Sequence, residues 1–134
     1  MNSITTNLNN NRNISVLNEA EKKFNIELCK EIKDFIFDNA GGYPVKNVIT
    51  VDGEEYEVRV FLSLDNNDTH YFIKEPLNDF LQKTKGRIVP LAIDSEDNYY
   101  CINNETGKLY YWSSELDEYF LLVDNLDLFS DLFV

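Results

Sequence analysis

The sequence predicts an α+β fold in which helices pack around a mainly antiparallel sheet of about five or six strands. Residues 14–44 carry apolar side chains at helical spacing, and this segment ends in Asn-Ala-Gly-Gly-Tyr-Pro. From Val48 onward, short β-branched and aromatic runs alternate with turn sequences, and residues 75–84 return once to helical spacing. A chain of 134 residues, 43% of them hydrophobic, can form one core, so we expect a single domain over residues 14–134.

The first predicted unit is a pair of helices that follows a mobile tail, residues 1–13, rich in Asn, Ser and Thr. We expect Ser15 or Asn18 to cap the first helix. The second helix is predicted from about Glu27 to Asp38, and it ends before Pro44 because proline cannot continue helical hydrogen bonding. The apolar residues that indicate the two buried faces are Ile14, Leu17, Ala20 and Phe24 in the first helix, and Leu28, Ile32, Phe35 and Ile36 in the second.

The next segment is predicted to be a hairpin followed by a short middle helix. Val48–Val51 and Glu54–Leu64 flank Asp52-Gly53, a dipeptide typical of tight hairpin turns. The middle helix is expected over residues 75–84, and Gly86 ends it.

The C-terminal half is predicted to be a meander of three strands. They are Arg87–Asp94, Tyr99–Asn103 and Lys108–Trp112, each joined to the next by a short polar turn. Pro90 lacks an N–H, so its strand should lie at a sheet edge or bulge there. An acidic loop follows over residues 113–118. Phe120–Val123 either extends the sheet or leads into a last helix, which Asp124 or Asn125 caps.

The charge of the chain excludes some partners and favours others. Its formal net charge is −12 and its isoelectric point is near 4.3. Phosphate backbones and anionic membrane surfaces repel such a protein, so we expect it to bind no nucleic acid and no membrane, and to suit a basic protein. Residues 94–134 hold ten acids against Lys108 alone. A solvated face that only keeps the protein soluble would explain the same pattern.

The residues that usually perform catalysis are sparse, so we expect a protein that is not an enzyme and holds no metal or cofactor. His70 is the single histidine, and it follows a polar turn. Cys29 and Cys101 are expected to be small buried residues with reduced thiols. A small hydrolase or ligand-binding protein using the Asp94–Asp97 turn remains an alternative, and it would require converging carboxylates with shifted pKa values.

A protein-binding surface is the hypothesis that the acidic C-terminal third favours. An aromatic residue inside an acidic rim is typical of protein interfaces, and Tyr111 could take that place if Tyr110–Trp112 alternates across the sheet. In the other interpretation, all three aromatic residues belong to the core or its edge. The residues that we expect to contact a partner are Asp94, Glu96, Asp97, Glu105, Tyr111, Glu115, Asp117 and Glu118.

Several blocks of this sequence, in this order, resemble the SUKH superfamily and its Smi/Knr-like family. The first block comprises Glu21–Ile36 and Asn39–Pro44, with Asn25 where the family usually has glycine, Cys29 where it has proline, and Ala40 inserted before the paired glycines. The later blocks are Ile88–Asp94, Asp97–Ile102, the aromatic strand Leu109–Trp112 and the terminal helix from Asp124 to Phe133.

The resemblance implies an α+β fold and a function in protein binding. For bacterial members it implies a cytoplasmic immunity protein that binds a secreted or contact-dependent toxin, often a nuclease, and blocks its active site. Such a protein would act as a monomer or a weak homodimer, and its partner would be the basic toxin. The fungal members imply an alternative, a non-catalytic regulatory domain that binds cellular proteins. The N-terminal sequence has no basic segment followed by an apolar run, which agrees with a cytoplasmic location.

Overall fold

Four helices and nine short or medium strands make up the part of the chain that the computed structural model describes, residues 4–6 and 11–134. The helices are α1 (Ser15–Phe24), α2 (Lys30–Asn39), α3 (Lys74–Lys83) and α4 (Leu126–Asp131). The strands are β1 (Thr5–Thr6), β2 (Tyr43–Pro44), β3 (Val48–Val51), β4 (Glu54–Glu57), β5 (Val60–Phe61), β6 (Ile88–Ile93), β7 (Tyr99–Asn103), β8 (Leu109–Ser113) and β9 (Glu118–Val123). None of the helices in these residues is long and apolar enough to cross a bilayer.

A five-stranded antiparallel sheet in the order β5-β6-β7-β8-β9 organises the molecule. It confirms the α+β class and the predicted meander. Strand β9 extends the sheet, which decides between the two alternatives for Phe120–Val123. The register shifts between Pro90 and Ala92, so the missing proline N–H is accommodated by a bulge rather than at an edge.

The two faces of the sheet bury different sets of aromatic rings. On one face, Tyr100 packs against Phe129 of α4, and Phe35 of α2 contacts both Phe129 and Phe61. On the other face, Phe80 of α3 lies edge-on to Trp112, with ring centroids 5.2 Å apart. Because side chains alternate across a strand, successive residues within β7, and within β8, lie on opposite faces of the sheet.

Helix α1 begins one residue after Ile14 and not with a side-chain cap from Ser15 or Asn18, so both capping predictions are wrong. The Asn13 side chain takes a related role instead, since its Oδ1 accepts a hydrogen bond from the Ser15 N–H at 3.1 Å. Helix α1 ends at Phe24, and the next residue, Asn25, caps it with a left-handed backbone (φ 52°).

Helix α2 begins at Lys30 rather than near Glu27, because the chain from residue 26 to 29 forms an irregular corner held by Asn104. The Asn104 Nδ2 donates to the Glu27 carbonyl at 2.9 Å, and its Oδ1 accepts from the Cys29 N–H at 3.0 Å. Cys29 therefore lies in an exposed corner, and the expectation that it is buried is wrong. Cys101 is buried as expected, and burial raises the pKa of its thiol.

The predicted mobile tail is wrong for two of its residues, because Thr5 and Thr6 pair with Pro44 and Tyr43 as strand β1. Thr5 is only 7% exposed, and its Oγ1 donates to Oδ1 of Asn39 at 3.4 Å. Two β-branched residues beside an extended Tyr-Pro segment suffice for this short ladder. The rest of the tail prediction falls partly on residues 1–3 and 7–10, which lie outside the described residues.

The predicted strand from Glu54 to Leu64 is interrupted after Glu57. Strands β3 and β4 form a separate two-stranded hairpin, and its turn has positive φ at Asp52 and Gly53, as that dipeptide indicates. At the interruption the Val58 N–H donates to the Asn47 carbonyl, whereas the Arg59 N–H donates to the Ile93 carbonyl. The chain thus leaves the hairpin and joins the large sheet within two residues, which sequence alternation alone does not indicate.

Candidate functional site

Two acidic turns lie side by side at one end of the large sheet. Strand β7 pairs with β8 with Tyr99 opposite Trp112, so the β6–β7 turn and the β8–β9 turn are neighbours. The Asn98 Oδ1 joins them, because it accepts from the Ser114 N–H at 2.8 Å and from Ser114 Oγ at 3.0 Å. We call these turns, residues 94–98 and 114–118, the acidic end.

The hairpin β3–β4 supports the acidic end from one side. Glu57 accepts hydrogen bonds from the Ser95 N–H, at 2.9 Å, and from the Ser95 hydroxyl. Its carbonyl also accepts from the Tyr100 hydroxyl, which is buried in the sheet below. Three separate segments of the chain therefore meet here, and their hydrogen bonds restrict how the turns can move.

Asp94 is the structural centre of the acidic end and is only 9% exposed. Its Oδ1 accepts from the backbone N–H groups of Glu96 and Asn98 at 2.8 and 2.9 Å. Its Oδ2 accepts from the Asn98 amide and from the Tyr111 hydroxyl. Both carboxylate oxygens are occupied inside the protein, so Asp94 positions the turn and offers no free charge to a partner.

Tyr111 is an edge residue of the core rather than the exposed aromatic contact that the sequence suggests. Its hydroxyl lies 2.8 Å from Asp94 Oδ2, and its ring packs on Tyr56 and Tyr100 at centroid distances of 5.3 and 5.2 Å. Burial, together with the hydrogen bond to Asp94, raises the pKa of Tyr111. The alternative interpretation of Tyr110–Trp112 thus applies to this residue, because β8 turns it toward the hairpin.

The other carboxylates of the acidic end point into solvent. Glu96 and Asp97 are exposed on the first turn, and Glu115 and Glu118 are exposed on the second. Asp97 also has a left-handed backbone, with φ of 62°, which is typical of a residue that forms a tight turn. These four side chains are the free negative charges that the site can present.

Asp117 is exposed but shares its charge with a cation. Its Oδ1 accepts from Lys83 Nζ at 3.0 Å and from Trp112 Nε1 at 2.9 Å. The Lys83 ammonium also lies 5.0 Å from the centroid of the Trp112 ring. The hydrogen bonds from Lys83 and Trp112 lower the pKa of Asp117. Asp117 therefore contributes less free negative charge than Glu115 or Glu118.

Glu105 is not part of this site. It belongs to the β7–β8 turn, which an antiparallel meander places at the opposite end of the sheet. Its N–H donates to Asn103 Oδ1 at 2.8 Å. The sequence could have indicated that Glu105 lies apart from the acidic end, because successive turns of an antiparallel meander lie at opposite ends of the sheet.

Sequence reasoning missed Leu116 in the acidic end and Glu57 beside it. Leu116, at the tip of the second turn, is 59% exposed between Glu115 and Asp117. Glu57 belongs to the predicted hairpin, but its contact with Ser95 depends on how the hairpin folds back on the sheet. An apolar residue inside an acidic turn is the signal that could have identified Leu116, whereas no local pattern indicates Glu57.

A cleft of about 1020 Å³ lies beside helix α3 and reaches Trp112 and Lys83. Its lining combines an exposed His70 with acids and bases of α3, among them Lys74, Glu75 and Asp79. In residues 4–6 and 11–134 no group of three or more His, Cys, Asp or Glu side chains is arranged to hold a metal ion. The exposed carboxylates of the acidic end can supply negative charge and hydrogen-bond acceptors.

Comparison with known proteins identifies the family. No curated protein matches this chain. The antiparallel sheet with its helix pair, middle helix and terminal helix is consistent with the fold that the resemblance implies. The match to the SMI1 / KNR4 family (SUKH-1) runs over residues 13–131, nearly the whole of the fold described above, and the chain therefore belongs to that family.

Proposed function

We propose that this protein is a cytoplasmic immunity protein that binds a cationic bacterial toxin, such as a nuclease, through the acidic end and blocks its active site. The observation that supports this most directly is the grouping of Glu96, Asp97, Glu115 and Glu118 on two turns joined by hydrogen bonds. A nuclease has a basic groove for phosphate, and a surface of clustered carboxylates is the electrostatic complement of such a groove.

Two further features support binding at this surface. The Asp94 and Asn98 hydrogen bonds fix the turns before a partner arrives, which reduces the entropy lost on association. Leu116 provides an apolar contact surrounded by charge, the usual composition of a protein interface. We infer that the protein acts by binding and not by turnover, since the carboxylates of the acidic end are either exposed, as Glu96 and Glu115 are, or hydrogen-bonded within the turn, as Asp94 is.

The experiment is a binding comparison between two variants with the same change of charge. Glu96→Lys/Glu115→Lys/Glu118→Lys reverses three exposed charges of the acidic end and leaves Asp94 and Asp117 in place. Glu19→Lys/Glu31→Lys/Glu105→Lys, the control, reverses three exposed charges elsewhere. The ligand is the purified product of the adjacent gene, first tested for copurification with this protein.

We expect the acidic-end variant to bind at least about tenfold more weakly than the control and to lose much of the salt dependence of the association rate. Circular dichroism should show both variants folded. Equal affinities for the two variants would show that the acidic end is not the contact. Absence of any complex with the adjacent gene product would count against the immunity function itself.

A regulatory protein-interaction domain is the second candidate, because the family that matches includes the SMI1 / KNR4 proteins. It predicts that the same acidic end binds a cellular protein in cells that lack any toxin gene beside this one. Co-expression separates the two functions. An immunity protein restores growth to cells that express the adjacent gene product, and a regulatory domain does not.

A further inference from the structure

Among the residues that the structure describes, the large sheet has one closed edge and one open edge. We propose that the open edge, strand β9, receives an extended segment of a cationic partner protein as a sixth strand. This inference rests on the proposed function and adds to it the way in which the partner docks. Main-chain hydrogen bonds to β9 would supply affinity, and the acids around its ends would select a basic segment.

The closed edge is β5, which has only two residues, both buried. Its outer side is already bonded, because the Phe61 N–H donates to the Gly42 carbonyl at 2.9 Å and the Phe61 carbonyl accepts from the Gly41 N–H at 3.2 Å. The chain beyond it continues into a bridge between Ser63 and Phe72. No further strand can join the sheet at this edge without displacing those contacts.

Strand β9 is different, because within the described residues it pairs with β8 alone. Phe120 and Leu121 are 41% and 52% exposed. Consecutive residues of a strand point to opposite faces, so an incoming strand would find an apolar side chain on each face. The ladder is regular over Glu118–Leu121 and then bulges at Leu122, which sets the length of the free edge.

Strand β9 also lacks the features by which proteins usually protect an edge. It contains no proline and no lysine, and Glu118 at its start is its single charged residue. Exposed apolar edges of this kind pair readily with other chains, and proteins normally prevent such pairing with prolines, lysines or short strands. We therefore expect another polypeptide segment to pair with this exposed edge.

The negative charge around both ends of β9 indicates which kind of segment would pair with it. Glu115 and Glu118 lie at one end of β9, and Asp124 and Asp127 follow the other end. Lys108, just before β8, is the single cation of residues 94–134. A second copy of this chain would bring another net charge of −12 to the edge and be repelled. An extended segment with an apolar centre and lysine or arginine at its ends satisfies both the hydrogen bonds and the charge.

The test uses two synthetic peptides of equal charge. One alternates valine and threonine in its centre and carries lysines at both ends. The other is the same peptide with proline at two central positions, which cannot form a strand ladder. Residue-resolved hydrogen exchange of the full chain is measured with each. We expect the first peptide alone to slow exchange at alternate amides of Glu118–Leu121, the set that β8 does not already protect.

Equal binding of both peptides, protection at another place, or no binding of the first peptide at millimolar concentration would overturn strand addition at β9. Protection of the β9 amides from exchange that increases with protein concentration in the absence of peptide would also overturn it, because the edge would then pair with a second copy.

A pair of variants gives an independent check. Leu121→Lys places a cation on the open edge, and Val45→Lys makes the same change at a residue 69% exposed next to strand β2. We expect Leu121→Lys to lower the affinity for the first peptide at least about tenfold and Val45→Lys to leave that affinity unchanged. Equal affinities would overturn the proposal. If the adjacent gene product binds through the acidic end while β9 amides stay unprotected, the proposed function stands and only strand addition fails.

Discussion

The turns at the two ends of strand β7 are both held by a side-chain oxygen that accepts from the backbone, but they differ in charge. At the acidic end, Asp94 Oδ1 accepts from the N–H groups two and four residues later. At the other end, Asn103 Oδ1 accepts from the N–H groups of Glu105 and Thr106 at 2.8 and 3.2 Å. A short side chain that accepts from the following backbone is typical of such turns, and either an amide or a carboxylate can do this.

The difference lies in what each turn is attached to. The connection between β7 and β8, residues 104–108, carries one acid and one base, Glu105 and Lys108, and we call it the neutral end. Asn104 joins it to the helix corner at Glu27 and Cys29. The acidic turn is joined to the hairpin through Ser95 and to the next turn through Asn98, and both attachments leave Glu96 and Asp97 free. One end of the sheet holds the helices in place, and the other presents charge.

The largest effect is expected when Asp94 is removed. Asp94→Ala would leave the Tyr111 hydroxyl and two backbone N–H groups without their acceptor in a mostly buried position. Leaving buried polar groups unsatisfied is costly, so we expect the free energy of unfolding to fall by about 2–4 kcal/mol. Urea denaturation followed by circular dichroism measures this change.

Glu96→Ala is the matched control, since Glu96 is an exposed carboxylate of the same turn. Its effect should stay within about 0.5 kcal/mol. Similar losses for the two variants would show that Asp94 contributes only charge to the turn, and the structural role assigned to it would be wrong.

A smaller effect is expected at the neutral end. Asn104→Ala removes two hydrogen bonds that hold the helix corner, and both involve an uncharged side chain in a partly exposed position. We expect a loss of about 1–2 kcal/mol in the free energy of unfolding, with faster hydrogen exchange at the start of α2. Unchanged exchange at Cys29 and Lys30 would show that the turn does not anchor the corner.

Local sequence signals predicted most elements of the fold. The Asp52-Gly53 turn, the meander and the α3 helix follow from residue types within a few positions, and the structure has them. The departure of the chain from the hairpin after Glu57 was not predictable, because Val58 and Arg59 continue the alternation of the strand. What interrupts it is a pair of long-range hydrogen bonds to Asn47 and Ile93.

The candidate site was predicted only in part, for a similar reason. The sequence shows that acids cluster in the last third of the chain, but the register of β7 on β8 decides which turns meet. It unites Glu96 and Asp97 with Glu115 and Glu118, and it separates Glu105. The register also brings the Tyr111 hydroxyl of β8 to Asp94, whose other hydrogen-bond donors belong to its own turn.

The smallest effect is expected at Tyr119, which follows Glu118 of the acidic end. The Tyr119 hydroxyl is buried, and within the described residues it has no hydrogen-bond partner. Burial, with smaller effects from Cys101 and Asp117, raises the pKa of Tyr119 from 10.0 to about 12. The unfolded chain then loses this proton at lower pH than the folded chain does. The stabilisation is therefore complete below pH 10 and is lost as the pH rises through about 12.

Tyr119→Phe removes both the hydroxyl and its titration. We expect a change of less than about 1 kcal/mol in the free energy of unfolding at neutral pH, because no hydrogen bond is lost. Between pH 10 and 12 the variant should lose stability less steeply than the unmodified protein, as measured by urea denaturation at each pH. Tyr110→Phe, a change on the neighbouring strand at a half-buried ring that contacts Tyr119, is the control. If the free energy of unfolding falls with pH in parallel for the unmodified protein and Tyr119→Phe, water reaches the Tyr119 hydroxyl. The acidic end would then be more open near Glu118 than its packing indicates.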